Sequence, residues 1–238
     1  EKAMAMCEKQ HKARMMVINQ MDRENANFEK VMAAINEKFG PSVVPIQLPI
    51  IEDGAFKGYV DIIHMTAKLF DGKGEKEVDI PAALADEAQS LYEKLTEAAA
   101  ESDEELMEKY FEEGELSRDE ILRGLSQGVR EGIVTPVCCT AATANIGIAT
   151  LLDNMVHYLP AADQVKARPA VDAKTGDPIE VKQDGKFAAQ VMKTVIDQFG
   201  KYSIIKVFSG SVDVNTQLYN ANAEKAEKPT APVLLRGK

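Results

Sequence analysis

Two polar residues that could recognise a nucleobase follow a short apolar run near the start of the chain. Residues 15–18 are all apolar, which is typical of a short parallel strand buried on both faces. Asn19 and Asp22 follow at its carboxyl end, where open α/β sheets bind ligands. An Asn amide can donate to a purine N7, and an Asp carboxylate can accept from guanine N1–H and the 2-amino group. The pattern therefore indicates a guanine-recognising site.

A plainer interpretation of these residues remains open. The pattern Asn-x-x-Asp often forms a turn and caps the helix that follows, without contacting a ligand. Only the first interpretation predicts selectivity for guanine over adenine, because adenine offers no matching pair of donors to the carboxylate. Leaving those acceptors unmatched in a dry pocket costs roughly 1–3 kcal/mol.

Further segments extend the guanine interpretation along the chain. Residues 17–28 read Val-Ile-Asn-Gln-Met-Asp-Arg-Glu-Asn-Ala-Asn-Phe, which resembles the guanine-specificity segment of translational GTPases, usually Asn-Lys-x-Asp followed by Arg and a helix. The likeness is to bacterial elongation factor G or one of its paralogues. It continues in the same order through residues 43–63, 98–110, 151–160 and 208–212. The resemblance thus covers nearly the whole chain.

The resemblance assigns nucleotide binding first to the motif after the strand. Its four positions are Asn19, Gln20, Met21 and Asp22. The family has Lys where this chain has Gln20, and that Lys lays its stem along the base and reaches the phosphate loop with its ammonium group. Because Gln is shorter and uncharged, we expect weaker nucleotide binding, with guanine selectivity through Asp22 retained.

A second loop of the family also contacts the base. It reads Ser-Ala-Phe or Ser-Ala-Leu, and its backbone N–H meets guanine O6. The corresponding residues here are Ala141, Ala142 and Thr143, so the Ser is replaced while the backbone donor of Ala142 is kept. A shift by one residue, to 140–142, fits equally well.

The phosphate-binding half of a GTPase site is missing from the sequence. No Gly-x-x-x-x-Gly-Lys-Ser/Thr loop occurs in the 238 residues. We therefore expect an internal fragment of a larger GTPase, in which GTP or GDP and Mg²⁺ are held through an upstream part. We expect this chain to have no GTPase activity and at most weak nucleotide binding.

Charge and composition narrow the function classes. The net charge of −10 argues against direct nucleic-acid binding, because contact with a phosphate backbone requires a basic surface. No apolar run approaches the roughly 20 residues that span a bilayer, and we expect no secretory signal. The three cysteines lack metal-ligand spacing, which suits a reducing compartment. We therefore expect a cytoplasmic protein without a membrane or nucleic-acid partner.

Apolar periodicity and turn signals predict the elements. Helices are predicted over residues 3–12, 25–39, 81–101, 103–112, 117–131 and 148–158. In the first 160 residues, strands are predicted over 15–18, 43–48 and 135–139, with a strand or hairpin over 54–65 and a hairpin over 70–80 turning at 71–74. Later strands, over 187–196, 202–209 and 217–220, follow without helices between them, which favours a barrel.

These elements predict an α/β fold, and the resemblance implies its organisation: the C-terminal half of a P-loop GTPase domain with an inserted α+β subdomain, followed by part of a β-barrel domain. The partial GTP-binding domain covers 1–39 and 133–162, with the insertion at 40–132. A linker covers 163–184, and the truncated barrel covers 185–238.

Two hypotheses about function follow. The first is a fragment of an elongation factor G-like GTPase that acts in ribosomal translocation. Its partners, as the resemblance implies, are the ribosome and the ribosomal stalk protein. The acidic residues 86–120 are either a docking surface for that stalk protein or merely a solvated helix face. The alternative is a protein-binding module with a degenerate nucleotide site.

Overall fold

The computed structural model describes residues 1–164, 168–198, 200–230 and 232–234. The chain divides into two compact units, Glu1–Ala161 and Ala162–Lys238. The six α-helices of the described residues all lie in the first unit: α1 Lys2–Lys9, α2 Phe28–Phe39, α3 Ala85–Ala100, α4 Glu104–Glu113, α5 Arg118–Glu131 and α6 Ile148–Tyr158. No described helix has the length and apolarity needed to cross a membrane.

A three-stranded parallel sheet carries the candidate site. Its strands are β1 Met16–Ile18, β2 Val43–Pro45 and β7 Thr135–Cys139, in the order β1-β7-β2. Ile18 lies opposite Cys139 in the register, so the segments after β1 and β7 leave the sheet side by side. All five residues of β7 are buried, as expected for a central parallel strand.

A four-stranded antiparallel sheet follows β2. Its strands pair in chain order: β3 Gln47–Glu52, β4 Ala55–Asp61, β5 Thr66–Phe70 and β6 Glu75–Val78. The predicted turn at 71–74 is confirmed, since the Asp71 carboxylate accepts from the N–H groups of Lys73 and Gly74.

The single strand predicted over 43–48 is wrong, because the chain changes sheets at Ile46. The N–H of Ile46 donates to the Val137 carbonyl of the parallel sheet at 3.0 Å, and its carbonyl accepts from Ile62 at 3.1 Å. The residues before it form β2, which pairs with β7, and the residues after it form β3. The predicted insertion over 40–132 therefore includes a strand that belongs to the nucleotide-domain sheet.

Three helices follow the antiparallel sheet and carry twelve of the 38 Asp and Glu residues of the chain. The predicted capping box at the start of α5 is confirmed: Ser117 Oγ accepts from Glu120 N–H, and the Glu120 carboxylate accepts from Ser117 N–H. Helix α3 begins four residues later than predicted, because residues 82–84 form a short 3-10 turn. α5 packs closely on α3, since a Cβ at Gly124 would lie 2.4 Å from the Ala99 carbonyl oxygen.

The second unit consists of three antiparallel pairs. They are β8 Arg168–Val171 with β9 Pro178–Val181, β10 Ala188–Asp197 with β11 Gly200–Ser209, and β12 Leu218–Asn220 with β13 Lys225–Glu227. The first pair lies within the predicted linker, so much of that linker is a hairpin. Barrel closure is not found among the described residues. Residues 165–167 of the predicted linker, and 199, 231 and 235–238 of the predicted barrel, lie outside the described residues.

Candidate functional site

Two loops meet at the carboxyl ends of β1 and β7. The backbone joins them, since Thr140 N–H donates to the Ile18 carbonyl at 2.9 Å and Met21 N–H donates to the Thr140 carbonyl at 3.1 Å. We call residues 19–22 the guanine motif and residues 140–147 the second loop. Adjacent parallel strands thus bring together the two segments that the resemblance singled out, although about 120 residues separate them.

The side chain of Asn19 holds the two loops together. Its Oδ1 accepts hydrogen bonds from the Ala142 backbone N–H at 3.0 Å and from Thr140 Oγ1 at 3.2 Å. Because Oδ1 makes both contacts, the Nδ2 amino group carries the donors that a purine N7 requires. Asn19 therefore has a structural role that the sequence reasoning did not foresee, and this role is compatible with base binding.

The backbone donors of the second loop already have protein acceptors. The N–H of Ala142, predicted to meet guanine O6, donates to Asn19, and the N–H of Ala141 donates to the Ile146 carbonyl at 3.0 Å. The role predicted for Ala142 stays a prediction. To reach O6, its N–H would have to leave Asn19 Oδ1 or be shared with it.

Asp22 lies exposed beside the same loop. Thr143 Oγ1 donates to Asp22 Oδ2 at 3.3 Å, so the hydroxyl of the second loop orients one carboxylate oxygen. A carboxylate has about four lone-pair sites, and this contact uses one of them. The remaining acceptors suffice for the two donors of guanine. The side chains of Thr140 and Thr143 were missed in the sequence, where only their backbone positions were considered.

The two middle residues of the motif differ in their surroundings. Gln20 is exposed and has φ +63°, a left-handed conformation that is uncommon for residues other than Gly and Asn. Its carbonyl accepts from Arg23 N–H at 3.1 Å, which closes a tight turn. The side chain of Met21 is buried in the core at 4% exposure, so it anchors the turn and does not face a ligand. Of the predicted site residues, Met21 thus has an architectural role.

The donor set fits a guanine base but not its phosphates. An exposed amide and an exposed carboxylate lie in the guanine motif and contact Thr140, Ala142 and Thr143 of the second loop. The sequence holds no phosphate-binding loop, and the described residues contain no group of three or more His, Cys, Asp or Glu that could hold a metal ion. The amide and the carboxylate are the donor and acceptor types that recognition of a guanine base requires.

Comparisons with known proteins show the family and the fold of this chain. A crystal structure of a protein from Thermus thermophilus matches with a TM-score of 0.78 at 24% sequence identity, over 96% of this chain and 32% of the other. At that identity the match shows a shared fold, and the chain spans about a third of that protein's length. Residues 1–161 match the family described as the elongation factor Tu GTP binding domain. The chain therefore belongs to this family of GTP-binding translation factor domains.

Proposed function

We propose that residues 1–161 form the guanine-reading part of a translational GTPase of the elongation factor G type, which acts in ribosomal translocation. The observation that supports this role most directly is the pairing of Asn19 and Asp22 with the second loop through Ala142 and Thr143. A helix cap alone would not need contacts to a loop about 120 residues away.

Each polar group of the motif has a separate task in this proposal. Asn19 Nδ2 donates to guanine N7. Asp22 accepts from N1–H and the 2-amino group through charge-assisted bonds, which are the stronger kind. Adenine has neither of those donors, so Asp22 sets the choice of base. Gln20, between Asn19 and Asp22, has a left-handed backbone conformation, and both side chains contact the second loop.

Hydrolysis would need residues from outside the chain described here. Phosphate contacts supply most of the charge complementarity in a GTPase site, and residues 1–238 contain no loop for them. We therefore propose that GTP or GDP and Mg²⁺ bind only together with such a segment, in a cytoplasmic protein. The alternative, a protein-binding module whose nucleotide site is degenerate, predicts no base selectivity at all.

The acidic helices support a protein partner. Phe111 on α4 is 80% exposed among carboxylates, and a shallow hollow of about 280 Å³ is lined by Glu101, Asp103, Glu104, Met107 and Glu108. Exposed carboxylates around an apolar contact speed the encounter with a basic partner. We propose that the ribosomal stalk protein docks on this surface.

Base selectivity of the purified chain tests the guanine-reading role. GDP, ADP and XDP carry the same phosphates, so differences between them report the base alone. We expect GDP to shift the amide NMR signals of Asn19, Asp22 and Ala142 with an affinity near millimolar, and ADP to bind about tenfold or more weakly. Asp22→Asn should favour XDP over GDP, because the amide donates to the 2-oxo group of xanthine where the carboxylate accepted.

Two variants serve as controls. Glu24→Gln removes a nearby exposed charge without touching the motif, and Thr143→Val removes the hydroxyl that contacts Asp22 while keeping its carboxylate. Both should keep the preference for GDP. Equal binding of GDP and ADP, or unchanged selectivity in Asp22→Asn, would reduce Asp22 to a turn residue. Submicromolar GDP binding would contradict the absence of phosphate contacts.

A further inference from the structure

A carboxylate of the antiparallel sheet binds the start of the helix that follows the second loop. Glu75, the first residue of β6, accepts the backbone N–H of Gly147 on Oε1 at 3.0 Å. Its Oε2 accepts from Tyr59 Oη at 2.7 Å and from Thr150 Oγ1 at 2.9 Å. We call these four residues the Glu75 clamp. It joins two parts of the first unit that are 72 residues apart in sequence.

The clamp replaces a missing helix cap. Gly147 is the N-cap of α6 and has no side chain to bond the first turn of that helix. The N-terminal N–H groups of a helix need acceptors, and the helix dipole favours a negative charge at this end. The carboxylate of Glu75 meets both needs from another sheet.

The direction of each hydrogen bond in the clamp is fixed. Tyr59 is fully buried, and burial raises the pKa of its hydroxyl well above the usual range, so it stays a neutral donor. Lys68 Nζ donates to Thr150 Oγ1 at 3.2 Å, which leaves the Thr150 proton for Glu75. With Gly147 N–H, three donors converge on one carboxylate, and such charge-assisted bonds are strong and short.

Hydrogen bonds to the guanine motif and to the Glu75 clamp hold the two ends of the second loop. Asn19 holds its beginning through Ala142, and Glu75 holds its end through Gly147. Between them, Ala141 and Ile146 exchange backbone hydrogen bonds at 3.0 and 3.1 Å, which makes the loop a closed unit. Gly147 lies close against the end of β7, since a Cβ there would lie 2.8 Å from the Cys139 carbonyl oxygen. Glu75 and Asn19 thus hold opposite ends of one hydrogen-bonded loop.

Building on the guanine-reading role proposed above, we propose that Glu75 is a positioning residue through which the antiparallel sheet sets the geometry of the base-reading loop. Binding at the base and movement of the sheet are then coupled. Because such coupling is reciprocal, a partner that moves the sheet changes guanine affinity, and guanine changes the sheet.

Two measurements on the purified chain test this role. Hydrogen exchange of the Gly147 and Ala142 amides reports the loop without any nucleotide, and GDP titration reports the base site. We expect Glu75→Ala to speed exchange of both amides about tenfold or more and to weaken GDP binding by about 5-fold or more, the lower end of usual coupling. Thr150→Val, which removes one donor and keeps the side-chain shape, should act in the same direction with a smaller effect.

Glu77 on the same strand provides the matched control. It is exposed, and Glu77→Gln should change neither exchange nor GDP affinity. Comparison is made at a temperature where circular dichroism shows each variant folded.

Unchanged exchange in both Glu75→Ala and Thr150→Val would overturn the positioning role, as would faster loop exchange with unchanged GDP affinity. If the unchanged chain binds no GDP, the guanine-reading role fails. Exchange then decides whether Glu75 fixes the loop.

Discussion

Asn19 joins the two loops of the candidate site, and two substitutions separate this contact from base recognition. Asn19→Ala removes both hydrogen bonds that Oδ1 accepts. Asn19→Asp keeps an oxygen at that place and removes the amide donor. Asn19→Ala tests the hydrogen bonds between the two loops. Comparing GDP binding by the two variants tests the contact with guanine.

The expected loss of stability follows from the two bonds. At about 0.5–1.5 kcal/mol each, they give a range of about 1–3 kcal/mol for Asn19→Ala. Asn19 is exposed, so we expect the lower end of that range, about 1–1.5 kcal/mol. For a unit of this size each kcal/mol lowers Tm by about 2–4 °C, which predicts a fall of roughly 2–6 °C. Asn19→Asp should stay within about 0.5 kcal/mol of the unchanged protein.

Circular dichroism at a helical wavelength gives a suitable assay, because the six α-helices of the described residues all lie in the first unit. GDP titration of the same samples supplies the second readout, and both variants should bind about tenfold more weakly or worse. Asn25→Ala, at an exposed position nearby, is the control and should change neither quantity by more than experimental error. The reasoning is refuted if Asn19→Ala unfolds like the unchanged protein, or if Asn19→Asp binds GDP normally.

Two further predictions concern the acidic helices. The hydrogen bonds from Lys109 and Ser117 hold the pKa of Glu120 at about 2, below its ordinary 4.5, so its stabilising effect is present above pH 4.5 and is lost as the pH falls towards 2. Glu120→Gln should therefore flatten the loss of thermal stability across that interval, and an unchanged profile would count against the pairing. Titration with purified stalk domain should show binding that weakens as ionic strength rises and that is reduced in Glu104→Gln/Glu108→Gln, whereas no binding at low salt would leave only a solvated helix face.

Local signals in the sequence predicted the elements well. The capping box at Ser117 and the turn at Asp71 depend on residues within four positions of one another, so their patterns determine their structure directly. The resemblance placed the predicted strands 15–18 and 135–139 in one domain, and in the structure they pair in parallel as β1 and β7. The candidate residues Asn19 and Asp22 were found from the apolar run before them and from the resemblance.

Contacts over long sequence separations were not predictable in this way. Nothing in the residues near Ile46 shows that the chain changes sheets there, since both flanking segments are equally apolar and buried. The hydroxyls of Thr140 and Thr143 could be recognised only once the strand register placed them beside the guanine motif. In the sequence, Glu75 does not differ from the other acidic residues of its hairpin. Only the hydrogen bond that it accepts from Gly147 N–H in the structure identifies it.

The position of the inserted residues explains why such contacts exist. The guanine motif follows β1 and the second loop follows β7, so the candidate site is assembled by the pairing of two strands with about 120 residues between them. Loop-closure entropy grows only with the logarithm of that length, so a long insertion there costs little. In a site divided in this way, the second loop is held by contacts to residues far away in the sequence: Asn19 before the insertion and Glu75 within it. The contacts of Asn19 at one end of the loop and Glu75 at the other fix the loop in register. Through Glu75, the antiparallel sheet is in direct contact with the second loop of the candidate site.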